Sequence, residues 1–254
     1  MSIRIAKSEA GCFRPYRGPG LLWQAAILLF APAPYILPSP ADVFHALVER
    51  PDLWRVHAVT TLVETVIGLV TGTLLGAGLA LAMAFLPPTR HILLPVMVVS
   101  QALPVFAIAP ILVLWLGFGI SSKIVMATVA IFFPVASTFY DGLQRTDPGL
   151  LDLARLYRAR QAQQVLILRL PSALPALITG VRVAAVYAPI GALFGEWVGA
   201  SSGLGYAMLQ ANGRAQIDVV FAALFLLAAM SILVRAAVDL ATRNLTPWVP
   251  ESQK

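Results

Sequence analysis

The charged and polar side chains that could act chemically gather in one segment, residues 147–180. It reads DPGLLDLARLYRARQAQQVLILRLPSALPALITG, which is basic and amphipathic, and very apolar segments lie on both sides of it. A patterned polar insert between two membrane-spanning segments typically presents itself to a partner protein. The alternative interpretation is a basic loop that only fixes the orientation of the chain in the membrane.

Residue types suited to catalysis or metal binding are sparse. His45, His57 and His91 are isolated, and the single cysteine, Cys12, excludes an internal disulfide and a cysteine metal cluster. The sequence has no Ser-His-Asp or paired-carboxylate arrangement and no phosphate-binding loop of the form G-x-x-x-x-G-K-[ST]. We therefore predict no catalytic, cofactor or metal site, and any ATP that drives this protein is hydrolysed by another chain.

The composition predicts a membrane protein. Of 254 residues, 59% are hydrophobic and 12% are charged, whereas soluble domains average about 45–50% apolar and about 25% charged residues. Several apolar runs approach the length of a membrane span. The net charge of +6 is too small and too scattered for a nucleic-acid-binding surface.

The sequence therefore predicts an all-α polytopic membrane protein with about six transmembrane helices. The predicted spans are residues 20–37, 60–85, 92–116, 123–143, 174–198 and 219–240. Residues 40–56 are amphipathic and are expected to lie at the outer interface. We divide the chain into an N-terminal tail (1–19), a transmembrane domain (20–245) that contains the insert (144–173), and a C-terminal tail (246–254).

Positive charges give the orientation of the spans. The segments on one side carry Arg4, Lys7, Arg14, Arg17, Arg90, Arg145, Arg155, Arg158, Arg160, Arg169, Arg243 and Lys254. The other side carries Arg50, Arg55, Lys123 and Arg214. Since Lys and Arg accumulate on the cytoplasmic side, this distribution places both termini and the insert in the cytoplasm.

Unusual residues inside the spans predict particular contacts. Gly68, Gly72 and Gly76 recur at every fourth position, which favours close packing against a neighbouring helix. Arg235 and Asp239 are four residues apart and are expected to pair on one helix face. A further basic residue, Arg182, is expected to reach towards the cytoplasm or to pair with Asp141.

The insert resembles the EAA loop of ATP-binding-cassette (ABC) importer permeases, in which Glu-Ala-Ala, a glycine and Ile-x-Leu-Pro recur at fixed spacing. Here Asp152-Leu153-Ala154 is followed, at that spacing, by position 158 and by Leu168-Arg169-Leu170-Pro171. The spacing matches throughout and the residues match in part. Arg158 stands where the family usually has a glycine, the residue that permits a tight turn between two short helices.

Other stretches resemble the same family. They are ILPSP at 36–40, QALPVFAIAP at 101–110, WLGFG at 115–119, FP at 133–134, DGL at 141–143 and EWVGASSGLGY at 196–206. Within that family, the chain resembles the branch of nitrate, sulfonate, taurine and thiamine-precursor permeases. Residues 101–110 and 139–147 look most like permeases assigned to the thiamine precursor hydroxymethylpyrimidine.

This resemblance covers roughly residues 20–245. It implies a MetI-like type I ABC importer permease fold in the bacterial inner membrane, with a cytoplasmic coupling-helix loop. It also implies a permease homodimer, two cytoplasmic ATPase subunits and an extracytoplasmic binding protein. A sulfonate, taurine or nitrate permease, or an ion-coupled secondary transporter that uses Glu64 or Glu196, remains the alternative.

The resemblance and the residue types together give candidate functional residues. Those expected to couple the chain to the ATPase are Asp152, Leu153, Ala154, Arg155, Leu156, Arg158, Leu170 and Pro171. Those expected along the substrate pathway are Gln101, Pro104, Tyr187, Glu196 and Trp197, because polar groups and broken backbone are costly in lipid. Glu196 and Trp197 would form an outer gate. The alternative is that these polar residues only tie one helix to another.

Overall fold

The computed structural model describes residues 23–25, 27, 29–30, 33 and 36–246. Within those residues the secondary structure is helical throughout. The helices are α1 (Pro40–Glu49), α2 (Pro51–Phe85), α3 (Arg90–Ala102), α4 (Val105–Leu116), α5 (Ile120–Gln144), α6 (Pro148–Leu156), α7 (Gln161–Trp197), α8 (Leu204–Gly213) and α9 (Ile217–Thr242). The first turns of α7 include a π-helical stretch, Gln164–Arg169.

Four helices, α2, α5, α7 and α9, are long and apolar enough to cross a membrane. A fifth crossing is possible if α3 and α4 form one broken span, since the two helices meet at an angle of 101°. The predicted first span, residues 20–37, lies largely outside the described residues. The all-helical membrane fold is confirmed, with four or five spans in the part of the chain that the structure describes.

The predicted third span is broken into two helices, in keeping with the irregular backbone expected from its prolines. Leu103 is extended (φ −79°, ψ 126°) and separates α3 from α4. The cause is Pro104, because proline disfavours helical geometry in the residue before it. Pro95 and Pro110, by contrast, are accommodated inside α3 and α4.

Two other predicted boundaries are wrong. The second span starts at Pro51, so only α1 remains of the interfacial segment expected over 40–56; Trp54 and His57 are buried. The fifth span starts at Gln161 rather than near residue 174, so that Leu170 and Pro171 lie inside α7. At the first of these starts Pro51 occupies the first turn of α2, where its missing N–H costs no hydrogen bond.

The centre of the bundle is α5, which packs between α2 and α7. A Cβ atom added at Gly72 would lie 2.5 Å from Ile131, and one at Gly76 would lie 2.5 Å from the carbonyl oxygen of Phe132. Gly191 of α7 makes a similar close approach to the other side of α5, at Ala127. The predicted packing role of the glycine stripe on α2 is confirmed.

The two ends of this bundle differ. One end, here called the α6 end, carries the last residues of α2 and α5, all of α6 and the first residues of α7; the opposite end is called the α8 end. Towards the α6 end, Arg182 Nε lies 2.8 Å from Asp239, so the expected pairing with Asp141 is wrong. The predicted Arg235–Asp239 pair is confirmed at 2.9 Å.

Local hydrogen bonds define both ends of α6. The Asp147 side chain caps its N-terminus by accepting from the Gly149 N–H at 2.8 Å. At its C-terminus, the Ala159 N–H donates to the Ala154 carbonyl and the Arg158 N–H to the Arg155 carbonyl, both at 2.9 Å. This is a Schellman motif, and its left-handed position, which usually holds glycine, is Arg158 with φ +55°. The turn therefore forms without the glycine.

The free-energy cost of the positive φ at Arg158 can be tested with a matched pair of variants. Arg158→Gly should stabilise the end of α6 by about 1 kcal/mol, because a side chain at positive φ is strained. Arg160 has φ −65°, so Arg160→Gly removes the same charge without relieving strain and should destabilise the turn. Hydrogen exchange of the α6 amides should be slower in the first variant and faster in the second. Unchanged exchange in Arg158→Gly would contradict this interpretation.

Candidate functional site

Helix α6 directs apolar side chains away from the bundle. None of its residues is buried. Leu150, Leu153 and Leu156 recur at every third position, and Leu156 is 80% exposed. Tyr157 extends the same surface, which we call the α6 stripe (Leu150, Leu153, Leu156 and Tyr157). A nine-residue helix that buries nothing gains little from tertiary packing, so its caps and any partner must hold it.

Charged residues border the α6 stripe. Arg155 Nη1 lies 2.7 Å from Asp152 Oδ1, and both side chains are about two-thirds exposed. Such an exposed pair contributes little to stability, so both groups remain available to a partner. Five of the predicted coupling residues, Asp152 to Leu156, thus lie together on α6, and Arg158 lies in the turn that follows.

Leu170 and Pro171 do not join that surface. Leu170 packs against a buried apolar cluster that includes Phe139, Leu143 and Val165. Pro171 lies in the next position of α7. Both are half-buried, and their place in the structure favours a role in positioning α7.

A buried polar cluster lies at the α8 end. Glu196 has no exposed surface. One of its carboxyl oxygens accepts from the Thr61 hydroxyl and the other from the Gly205 N–H, each at 2.5 Å. Thr61 also accepts from the Leu204 N–H at 2.8 Å, and His57 Nδ1 accepts from the Gly203 N–H at 3.0 Å. Side chains of α2 and α7 therefore satisfy three N–H groups at the start of α8.

Glycine is required where this cluster meets the backbone. Gly203 has φ +116°, a conformation that L side chains rarely adopt. A Cβ atom added there would also collide with the Glu196 carboxyl group. We call the set Glu196, Thr61, His57 and the N–H groups of residues 203–205 the α8 latch.

Two further ionisable side chains lie against the α8 latch. Glu64 is 2% exposed and contacts Glu196, and its Oε2 atom has no hydrogen-bond partner within the described chain. Lys123, also buried, donates to the carbonyl oxygens of Phe118 at 2.5 Å and Gly119 at 2.9 Å. Buried polar groups persist where hydrogen-bond partners surround them, and these carbonyl oxygens are the partners of the Lys123 side chain. The latch joins α2, α7 and α8, and Lys123 of α5 lies beside it.

The other predicted pathway residues do not join the α8 latch. Gln101, at the end of α3, and Tyr187, on α7, are exposed and make no hydrogen bond to any described residue. Pro104 is exposed at the N-terminal cap of α4. Trp197 is partly exposed, and its ring lies 5.7 Å from that of Phe194, edge to face.

The sequence reasoning missed His57 and Thr61 as latch residues and Lys123 as their buried neighbour. A signal was present, because a glutamate at the end of an apolar span needs donors once it is buried. The sequence that follows, GASSGLG at 199–205, offers backbone N–H groups with little steric hindrance. The local sequence does not indicate which helix faces those N–H groups. Only the structure shows that α2 does.

Comparisons with known proteins agree with this architecture. The family model for the binding-protein-dependent transport system inner membrane component matches residues 72–250, more than half of the chain. A probable ABC transporter permease protein of Haemophilus influenzae is 46% identical over 86% of this chain and 89% of its own length. The formylaminopyrimidine transport permease protein ThiX of Halalkalibacterium halodurans is 35% identical, over 90% and 91%. The taurine transport system permease protein TauC of Escherichia coli is 30% identical, over 91% and 87%.

Solved structures share the fold at low sequence identity. A chain of the MetNI methionine ABC transporter in an inward-facing conformation is 22% identical, with a TM-score of 0.66, over 76% of this chain and 96% of that one. A chain of an amino acid ABC transporter gives a TM-score of 0.61 at 17% identity, over 80% and 97%. Taken with the family match and the apolar helices, these findings show that the protein belongs to the family of inner-membrane components of binding-protein-dependent transport systems, as a multi-pass permease subunit of an ABC importer.

Proposed function

We propose that this permease carries a thiamine-precursor pyrimidine of the hydroxymethylpyrimidine type across the bacterial inner membrane. The formylaminopyrimidine permease, at 35% identity over nearly the whole chain, supports a pyrimidine substrate. The segments 101–110 and 139–147 support the same branch by resemblance. In this proposal residues 20–245 form the translocation unit, between cytoplasmic tails 1–19 and 246–254. An extracytoplasmic binding protein delivers the substrate, and the permease works as a homodimer in the lipid bilayer.

The chain is a transport subunit without an enzymatic activity of its own. Its relatives are transport permeases, and the sequence holds no phosphate-binding loop of the ATPase type. In our proposal a separate dimer of cytoplasmic ATPase subunits hydrolyses ATP. The family match favours this arrangement over the ion-coupled carrier.

The observation that carries the coupling proposal is the exposure of α6. A helix with defined caps that buries none of its residues and presents a row of leucines suits insertion into an apolar cleft of a partner. The charges of Asp152, Arg155 and Arg158 would border that contact. We propose that closure of the ATPase pair moves α6 and that the spans then convert between inward-facing and outward-facing states.

The α8 latch supports a role for Glu196 at the outer gate. It fixes the start of α8 to α2 and α7. Next to it, Trp197 contacts Phe194, whose ring lies 6.3 Å from that of Phe106 at the start of α4. In this proposal Glu196 anchors the gate, and the aromatic side chains form the part that opens. Gln101, Pro104 and Tyr187 would line the pathway between two copies of the chain.

Docking of α6 can be tested by charging its apolar surface. Leu156→Glu should weaken co-purification with the ATPase at least tenfold, because a charge would enter the centre of a desolvated contact. Substrate-stimulated ATP turnover should fall in parallel, while membrane insertion remains normal. Leu86→Glu is the matched control, since Leu86 is an exposed leucine at the same end of the bundle, outside α6. Equal effects of the two variants would contradict the assignment.

The substrate class can be tested by competition in proteoliposomes that contain the permease, the ATPase and the binding protein. Uptake of labelled hydroxymethylpyrimidine should require ATP and should be suppressed by excess formylaminopyrimidine. Taurine should leave it unchanged. Uptake of taurine with no pyrimidine transport would instead favour the sulfonate and taurine alternative, which the relative at 30% identity also supports.

The latch can be tested with Glu196→Gln. A carboxamide offers only one acceptor oxygen, so either Thr61 or the Gly205 N–H loses its partner, at a cost of ~2 kcal/mol. We expect a lower unfolding temperature and ATP turnover that no longer depends on the loaded binding protein. Glu49→Gln, at an exposed position of α1, controls for the loss of charge. A variant that is less stable but transports normally would show a purely structural latch.

A further inference from the structure

A polar cavity of about 520 Å³ opens at the α6 end of the bundle. It lies where the turn after α2, the end of α5 and the first turns of α7 meet. Its walls are formed by Met83, Ala84, Pro87, Arg90, His91, Tyr140, Gln144, Gln161, Gln164 and Arg169. None of the proposed coupling or pathway residues lines it, so it is separate from the sites described above.

The charges that line this cavity have one sign. Two guanidinium groups, those of Arg90 and Arg169, and the His91 ring lie in its walls, and no carboxylate of the described residues does. The neutral polar side chains in its walls are Tyr140 and three glutamines. A cavity lined by two fixed positive charges attracts an anion.

Neither lining guanidinium group makes a hydrogen bond to another described residue. Arg169 Nε is buried and has no hydrogen-bond partner among the described residues. Leaving such a donor unpaired is costly, so a ligand that accepts from it gains binding free energy. The Arg90 guanidinium lies 5.7 Å from the centre of the Tyr140 ring, a cation–π contact that positions the group without occupying its N–H donors.

Glutamine side chains fix the walls of the cavity. Gln161 Nε2 donates to the carbonyl oxygens of Ala84 and Phe85, each at 3.2 Å. Gln164 Nε2 donates to the Ala159 carbonyl at 2.9 Å. These bonds tie the start of α7 to the end of α2 and to the turn after α6. The cavity is therefore built before any ligand arrives.

We propose that this cavity binds a phosphate-bearing anion, either the headgroup of an anionic phospholipid or a free phosphate ester. The planar guanidinium groups match phosphate oxygens, and the volume suits a headgroup or a small metabolite. The cavity lies at the α6 end of four apolar helices, the end that our proposal places in the cytoplasm, where basic pockets meet anionic lipid. The bound anion would hold the base of α6 against the spans; this consequence and the cytoplasmic placement rest on the proposed function, whereas the attraction of the cavity for an anion does not.

The binding test uses the purified full-length chain in detergent and measures its unfolding temperature. Sodium phosphate or short-chain phosphatidylglycerol should raise that temperature saturably, whereas sodium chloride at matched ionic strength should not. A response to phosphate without lipid identifies a free phosphate ester, and a response to phosphatidylglycerol alone identifies a lipid headgroup. If neither probe stabilises the chain, the proposal is wrong.

Variants assign the response to the cavity. Arg90→Gln and Arg169→Gln should each weaken binding about tenfold, because each removes a charge-assisted hydrogen bond. Gln144 is an exposed lining residue that makes no hydrogen bond to a described residue. Gln144→Glu keeps its shape and adds a negative charge, so this variant should weaken binding even if the arginine variants fold poorly. Arg243→Gln, on the same side of the bundle but outside the cavity, should leave binding unchanged. Equal binding by all four variants would overturn the proposal.

Discussion

The close approach of α5 to α2 and α7 is the constraint on which the rest of the structure depends. In a bundle surrounded by lipid, apolar burial gives little preference for one helix neighbour over another, so packing must come from shape. At Gly72, Gly76 and Gly191 the absence of a Cβ atom allows backbone and side chains of α5 to make direct contact. These contacts bring the ends of α2, α5 and α7 together at both ends of the bundle.

Each end uses that convergence differently. At the α8 end the three helices approach closely enough to bury two carboxyl groups and an ammonium group, and the hydrogen bonds of this cluster hold a short fourth helix. At the α6 end the same helices separate around a basic cavity and carry a capped helix with outward leucines. At the α8 end, hydrogen bonds within the chain satisfy Glu196 and the first N–H groups of α8. At the α6 end, the Arg169 Nε donor and the leucines of α6 have no partner among the described residues.

Much of the fold could be predicted from the sequence, because periodic apolar runs and small-residue spacing are local signals. The stripe at Gly68, Gly72 and Gly76 and the Arg235–Asp239 pair both follow from helix geometry alone. The partner of Arg182 did not, since Asp239 lies on another helix and nothing near position 182 indicates which one. The first residues of α2 (from Pro51) and of α7 (from Gln161) were also missed as helical. Both segments are polar and resemble loops in the sequence, and only tertiary contacts show that one face of each helix is covered. The motif keeps its spacing and its turn at position 158, although arginine stands there instead of glycine, the residue that adopts positive φ without strain.

The collision at Gly203 means that two positions cannot vary independently. Any larger residue at 203 displaces the Glu196 carboxyl group, and that group is what satisfies the neighbouring N–H of Gly205. A lineage that replaced the glycine first would lose the carboxyl contact, and one that replaced the glutamate first would leave a buried backbone donor unpaired. Each single step is therefore unfavourable, and Glu-x6-Gly-x-Gly should be exchanged, in evolution or in protein design, as one unit.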